Sequence, residues 1–279
     1  MRERFTFVVV GRDEEATLPV ALGHALDAAR PGDQVWFVDS GSTDGSAALA
    51  EGLGVEVVPA PVGKGRAMQV AFDRVRSAGG AEGYLCFLDA DYAWSERNIP
   101  AEVRDAAERT GADMVVGTYT EERRRVVMPG VYHPIVGALA PEALEHIDIA
   151  LSGFRAVRPA ILRTPLPPGY GAETHLNLEA TFGGAVVCST PVGGFRGSLR
   201  GYTNISAILD DVAAAILDQA ERYGRLDPVD RPRWERWIDE VRLVVADQPA
   251  PGAPDHAFLE RLAAVAARPL PAAPVGDAR

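Results

Sequence analysis

Tyr84-Leu85-Cys86-Phe87-Leu88-Asp89-Ala90-Asp91 is an apolar run that ends in two carboxylates one residue apart. Its unbroken apolar character fits a strand buried on both faces, as in a sheet covered by helices. In extended backbone, residues two apart project to the same side, so Asp89 and Asp91 converge on one point. Hard oxygen donors there suit Mg²⁺ or Mn²⁺, ions that usually share their shell with substrate phosphates. An Asp-x-Asp alone is also an ordinary solvated strand-end turn. Its weight comes from what surrounds it.

On either side, short apolar runs at Phe5 to Val10, Gln34 to Val38, Val55 to Val58 and Asp113 to Thr118 alternate with helical patterns. The helices are predicted to begin near Glu15, Ser46, Lys64 and Ile99, each with apolar residues at three- and four-residue spacing. The alternation predicts an α/β, Rossmann-like fold whose mostly parallel sheet is flanked by helices. Such sheets bind ligands beyond the carboxyl ends of their strands. Three loops therefore face one crevice with Asp89 and Asp91: Val10-Gly11-Arg12-Asp13-Glu14, Asp39-Ser40-Gly41-Ser42-Thr43-Asp44 and Gly63-Lys64-Gly65. Asp39 is placed to accept hydrogen bonds from a ribose or base, and Lys64 to offer a point charge to a nucleotide's phosphates. Each loop alone also reads as turn or helix-capping chemistry.

The second half is less regular. An Arg-rich stretch, Glu121 to Arg125, precedes a Pro/Gly-bearing stretch at Met128 to Pro134 and a predicted helix around Pro141 to His146. Strand-like segments return at Gly153 to Val157 and Ala185 to Ser189, separated by the Pro/Gly-dense loop Pro165 to Gly171 and a helix from about Glu173. Helices are predicted at Ile205 to Tyr223, Trp234 to Val245 and Ala257 to Ala267, with a Pro-rich linker at Gln248 to Pro254 and a Pro/Ala tail. The expected division is a catalytic domain over 1–204, with a donor-binding half at 1–120 and an acceptor-binding half at 121–204. A C-terminal helical extension over 205–267, serving as a cover for the site or a homodimer surface, and a tail over 268–279 complete it.

Composition narrows the function classes. The net charge of −11 over 279 residues excludes a broad nucleic-acid surface, which needs clustered cations. No stretch of 18 apolar residues occurs, and the short run Phe5 to Val10 follows charged Arg2, Glu3 and Arg4 without a cleavage site after it. A cytoplasmic protein without a transmembrane segment is expected. Cys86 and Cys188 sit in apolar, strand-like segments and read as buried thiols.

Taken together, the five ordered motifs resemble the GT-A nucleotide-sugar glycosyltransferases, particularly the family-2-like group. They are Gly11-Arg12-Asp13-Glu14-Glu15, Asp39-Ser40-Gly41-Ser42-Thr43-Asp44, Gly63-Lys64-Gly65, Asp89-Ala90-Asp91 and Leu151-Ser152-Gly153-Phe154-Arg155-Ala156-Val157-Arg158. The resemblance implies that Val10, Gly11, Arg12, Glu14, Asp39, Ser40, Lys64, Asp89 and Ala90 hold the nucleotide-sugar, with Asp89 and Asp91 on the metal. A narrower segment, Gly169-Tyr170-Gly171-Ala172-Glu173, is similar to one in glucosyl-3-phosphoglycerate synthases, which are retaining enzymes. It implies that Ser152, Gly153, Phe154, Arg155, Tyr170 and Gly171 wall the acceptor, with Arg125 contacting its anionic group and Glu173 acting beside Asp91 in catalysis. The stretch Gly193 to Arg200 carries no histidine where that resemblance implies a third metal ligand. His175, two residues past Glu173, is the candidate stand-in, against a structural role on a partly buried helix.

The expected activity is transfer of a hexose from a UDP- or GDP-linked donor to a small, anionic acceptor. An inverting polyprenyl-phosphate glycosyltransferase is an alternative, in which Asp148 or Glu173 acts as general base. A nucleotidyltransferase and a non-catalytic nucleotide-sugar-binding protein are the others; the first should show a Gly-rich loop after the first strand, which Gly11-Arg12-Asp13-Glu14 lacks.

Overall fold

In the computed structural model, residues 2–79, 83–120, 127–197, 205–247 and 256–271 are described. They fall into two compact units, Met1–Glu121 with His146–Ser198, and Glu122–Glu145 with Leu199–Arg279.

The first unit is built on strands β1 (Phe5–Gly11), β2 (Gln34–Asp39), β3 (Glu56–Pro59), β4 (Tyr84–Asp89), β5 (Tyr92–Ser95), β6 (Met114–Thr120), β7 (Arg155–Val157) and β8 (Val187–Gly197), in the order β3-β2-β1-β4-β7-β6-β8-β5. β3, β2, β1 and β4 are mutually parallel, and β8 is parallel to β6. β7 runs antiparallel between β4 and β6, and β5 antiparallel to β8. Helices α1 (Leu18–Ala28), α2 (Ser46–Gly52), α3 (Lys64–Ser77), α4 (Ile99–Thr110) and α6 (Ala172–Phe182) complete the unit.

Both faces of the central strands are covered, which explains their continuous apolar sequences. Phe5, Phe7 and Val9 of β1 pack with Leu22 and Ala25 of α1 and Val103 and Ala106 of α4. On β4, Phe87 meets Phe72 of α3 at 5.5 Å between ring centres. The α4 helix begins at Asn98, whose side chain accepts a hydrogen bond from the Ala101 N–H, and stops at Gly111 in the left-handed region (φ 63°).

The expected strands and helices form, with two departures. β5 follows Asp91 immediately and was not expected, because its pairing partner lies beyond Pro191 and the Gly193-Gly194 pair, where the sequence reads as a turn. β8 instead runs through these residues to Gly197. Phe154, Tyr119, Tyr92 and Phe195 then close an edge-to-face aromatic cluster under this added edge, with Tyr119 and Phe195 centred 4.4 Å apart.

The second unit comprises α5 (His133–Leu139), α7 (Ile205–Arg222), α8 (Arg231–Ala246) and α9 (His256–Ala266). Met128–Tyr132 winds as a wide helical turn straight into α5, where Pro129 and Gly130 read as irregular in sequence. This turn packs against α7, α8 and α9, and its Val131 and Tyr132 are buried, as are Leu209, Trp234 and Phe258 of those helices. These units divide the chain differently from the partition expected at residue 204, with 122–145 grouped with Leu199–Arg279. Arg225, at the end of α7, pairs with Glu142 at 2.5 Å. Among the described residues no helix is long and apolar enough to cross a membrane.

Candidate active site

The C-terminal tips of β1, β2 and β4 converge, as parallel strands dictate. The Ala90 N–H donates to Val10 O and the Ser40 N–H to Gly11 O, each at 3.0 Å, so the strand ladders extend into the loops. Gly11 permits this approach: a Cβ there would lie 2.6 Å from that of Ala90.

The first two loops are knitted together by side chains. Asp13, the one non-glycine residue with positive φ (56°) among those described, receives the Thr43 N–H at 2.6 Å and donates its own N–H to Ser42 Oγ. The Glu14 N–H donates to Ser46 Oγ at 2.9 Å, and the Glu15 N–H to Asp44 Oδ2. The Thr43 N–H holds the Asp13 carboxyl below the usual range. Asp39 spends Oδ1 on the Ser42 N–H and hydroxyl, leaving Oδ2 without a partner among the described residues. Ser40 is buried, accepting the Gly63 N–H and donating to Pro61 O, so it shapes the crevice instead of lining it. Arg12 is exposed, and the Glu14 carboxylate accepts the Thr17 hydroxyl at 2.8 Å.

The centre of the site is Lys64. Its ammonium lies 2.7 Å from Asp89 Oδ1 and also pairs with Glu173 Oε1. Glu173 is 3% exposed, and its Oε1 has no hydrogen-bonding partner beyond that ion pair. Burial alone would lower the Lys64 pKa, but the charges of Asp89 and Glu173 outweigh it and push it well above the ordinary lysine value. Lys64 therefore stays protonated.

Lys64 reaches this position because the start of α3 is fastened to the proline-rich loop. The Gly65 N–H donates to Gly169 O at 3.1 Å and the Arg66 N–H to Pro168 O at 3.2 Å, satisfying donors that a helix N-terminus leaves open. A Cβ on Gly65 would fall 1.8 Å from Pro167 O, and one on Gly63 (φ 132°) 2.4 Å from Pro168 O. Both glycines in Gly63-Lys64-Gly65 thus serve a docking that also delivers Glu173, two residues past Gly171.

Gly153 abuts Asp89 in the same way, since a Cβ there would meet Oδ2 at 2.0 Å. Its neighbours, expected to wall an acceptor, are turned into the fold. Ser152 is fully buried, with its hydroxyl bonded within its own turn to Phe154 backbone atoms. Phe154 belongs to the aromatic cluster. Arg155 is fully buried and donates to the carbonyls of Ala150, Ser152 and Glu173 and to Asn177 Oδ1, binding the 150–153 turn to α6. Tyr170 is partly exposed at the loop and Gly171 is buried. Arg123, Arg124 and Arg125 lie outside the described residues.

His175 is corrected as well. On a helix, residues two apart differ by about 200° around the axis, so with Glu173 facing Lys64, His175 faces away. Its Nε2 lies 3.1 Å from Thr164 Oγ1 and 3.4 Å from Glu179 Oε1 on the next turn. Among the described residues no three His, Cys, Asp or Glu side chains group to hold a metal. What the site does supply is Asp89, with Asp91 two residues further and partly exposed. Aspartate carboxylates are hard oxygen donors of the kind that Mg²⁺ or Mn²⁺ takes.

Residues 6–128 match the sequence model of glycosyl transferase family 2. Among curated protein sequences none matches the chain significantly. Of the solved structures, glucosyl-3-phosphoglycerate synthase from Mycobacterium tuberculosis, in complex with Mn²⁺, UDP-glucose and phosphoglyceric acid, superposes with a TM-score of 0.66 at 24% identity over 78% of this chain and 80% of that one. The same synthase with Mn²⁺, UDP-glucose and glycerol 3-phosphate gives 0.65 at the same identity and coverage. A mycobacterial protein is 26% identical, with a TM-score of 0.64 over 78% of this chain and 75% of that one. The fold is GT-A.

Two measurements check this geometry. Lys64 is the chain's single lysine, so acylation by an N-hydroxysuccinimide ester at pH 8 should modify the native protein at its N-terminus alone, by mass spectrometry. Asp89→Asn with Glu173→Gln should expose Lys64 to the reagent. Arg155→Met should reduce the unfolding free energy by roughly 3 kcal/mol or more in guanidinium titration, because it leaves several buried carbonyls unpaired. A surface arginine in an open crevice would change it by less than about 0.5 kcal/mol.

Proposed function

We propose that this chain, which carries the glycosyl transferase family 2 pattern on a GT-A fold, is a metal-dependent glycosyltransferase moving a hexose from a nucleoside-diphosphate sugar to a small anionic acceptor. The observation that carries the reading is Asp89, its carboxylate set between the Gly153 backbone and the Lys64 ammonium at the tip of β4, two residues before Asp91 in the chain.

Asp89 and Asp91 would hold Mg²⁺ or Mn²⁺, which supplies Lewis-acid stabilisation of the departing diphosphate. Asp39 presents Oδ2 to the nucleoside from the neighbouring strand, while the knitted loops fix the crevice wall. Lys64 adds a permanent positive charge next to the same carboxylates, aligned for phosphate oxygens.

Glu173 is the carboxylate joined to this cluster, through Lys64. Asp148, the other contender for a base, is exposed, and its N–H bonds to Ser189 on β8. We therefore assign Glu173 to orienting the sugar or acceptor hydroxyl at the reacting centre. The anionic acceptor and the UDP-linked donor rest on the ligands of the similar synthase structures, phosphoglyceric acid, glycerol 3-phosphate and UDP-glucose. A retained anomeric configuration is the form of the reaction consistent with a Glu173 engaged by Lys64.

Thermal unfolding with nucleotide-sugars tests the reading, since a ligand of the native state raises Tm by mass action. UDP-glucose with Mn²⁺ should raise Tm in the wild type and not in Asp89→Asn or Asp91→Asn; an equal shift in those variants contradicts the assignment. Glu173→Gln should keep the shift yet slow release of the nucleoside diphosphate by about 100-fold.

A further inference from the structure

The opposite end of the same strands carries a second recess. β1, β2 and β4 are parallel, so their N-terminal residues gather about 20 Å from the tips that carry Gly11, Asp39 and Asp89. There Arg4, Thr6, Gln34, Trp36, Arg74 and Tyr84 are among the residues lining a cavity of about 400 Å³. That volume falls within the range of small-molecule sites.

Its chemistry is unlike that of the rest of the molecule. In a chain of net charge −11, the lining among the described residues contains two arginines and no carboxylate. Arg4 is exposed, and its side chain makes no ion pair or hydrogen bond among the described residues. Arg74 lies with its guanidinium 4.8 Å from the Trp36 ring centre and pairs outward with Glu56, itself half exposed. The floor is Trp36, 3% exposed and in register with Val8, whereas Phe5 and Tyr84 stack together on the opposite face of the sheet. The Trp36 indole N–H, a donor that can do nothing but donate, is buried without a hydrogen-bond partner among the described residues. Folded proteins leave few such groups unmatched.

We propose that this recess binds a small anion bearing a planar ring, an aryl or heteroaryl phosphate or carboxylate, with the acid group met by Arg4 and Arg74 and the ring against Trp36, Val75 and Ala78. Guanidinium forks match such acid groups bidentately, and the arginine stems and aromatic edges take the ring. The site is distinct from the crevice at the other end of the sheet, and it needs no metal.

Calorimetric titration of the full chain in EDTA with phenyl phosphate tests this, with phenol and inorganic phosphate titrated separately. Phenyl phosphate should bind saturably and at least tenfold more tightly than either half. Arg4→Ala with Arg74→Ala should weaken it at least tenfold; both side chains are solvent-facing, so the fold is kept, which circular dichroism verifies. Trp36→Phe, which keeps a ring and removes the donor, should weaken it several-fold, and Asp89→Asn should leave it unchanged. Absence of saturable binding, binding unaffected by the arginine double variant, or binding lost in Asp89→Asn overturns the proposal.

Discussion

The structure of the crevice depends on one buried ammonium. Lys64 joins Asp89 at the end of β4 to Glu173 on α6, so three segments far apart in the chain meet through one side chain. Burying an ion pair is favourable only when its geometry is held and its remaining polar atoms are served. The fold provides that hold with backbone: the α3 N-terminus takes the carbonyls of Pro168 and Gly169, and Gly153 lets the chain pass directly against Asp89. Glycines stand where any side chain would push these segments apart.

Around that contact, polar side chains fix the loops. Asp13, Ser42, Thr43, Asp44 and Ser46 bond across between the ends of β1 and β2. Arg155 does the same beneath the site, carrying the turn before β7 to α6. Among the described residues Asp39 keeps Oδ2 without a partner, while the Lys64 charge is held between Asp89 and Glu173. A crevice with a small number of fixed polar groups and otherwise internal bonding is preorganised, so little reorganisation accompanies ligand binding.

Much of this was legible in the sequence, for identifiable reasons. Continuous apolar runs located the central strands because both faces are covered, and the strand-end position of Asp89-Ala90-Asp91 followed from the same pattern. The glycines of Gly63-Lys64-Gly65 read in sequence as turn chemistry, whereas they lie against the Pro167–Gly169 backbone, a contact between segments about 100 residues apart that no local pattern encodes. Ser152, Phe154 and Arg155 were misread because a polar or aromatic residue near a motif gives no sign of facing inward; only Gly153 touches the site. His175 could have been excluded earlier, since two residues along a helix turn a side chain away from Glu173. β5 and the helical turn at Met128–Tyr132 were hidden by Gly and Pro residues whose breaking tendency is overridden by packing.

The central claim is that Asp89 and Asp91 grip a divalent ion next to Lys64. Anomalous diffraction at the manganese edge from crystals grown with Mn²⁺ and a nucleoside diphosphate measures this directly. The account predicts one peak within about 2.3 Å of carboxylate oxygens from both aspartates. A peak elsewhere, or a bound nucleotide with no metal at those carboxylates, would contradict it.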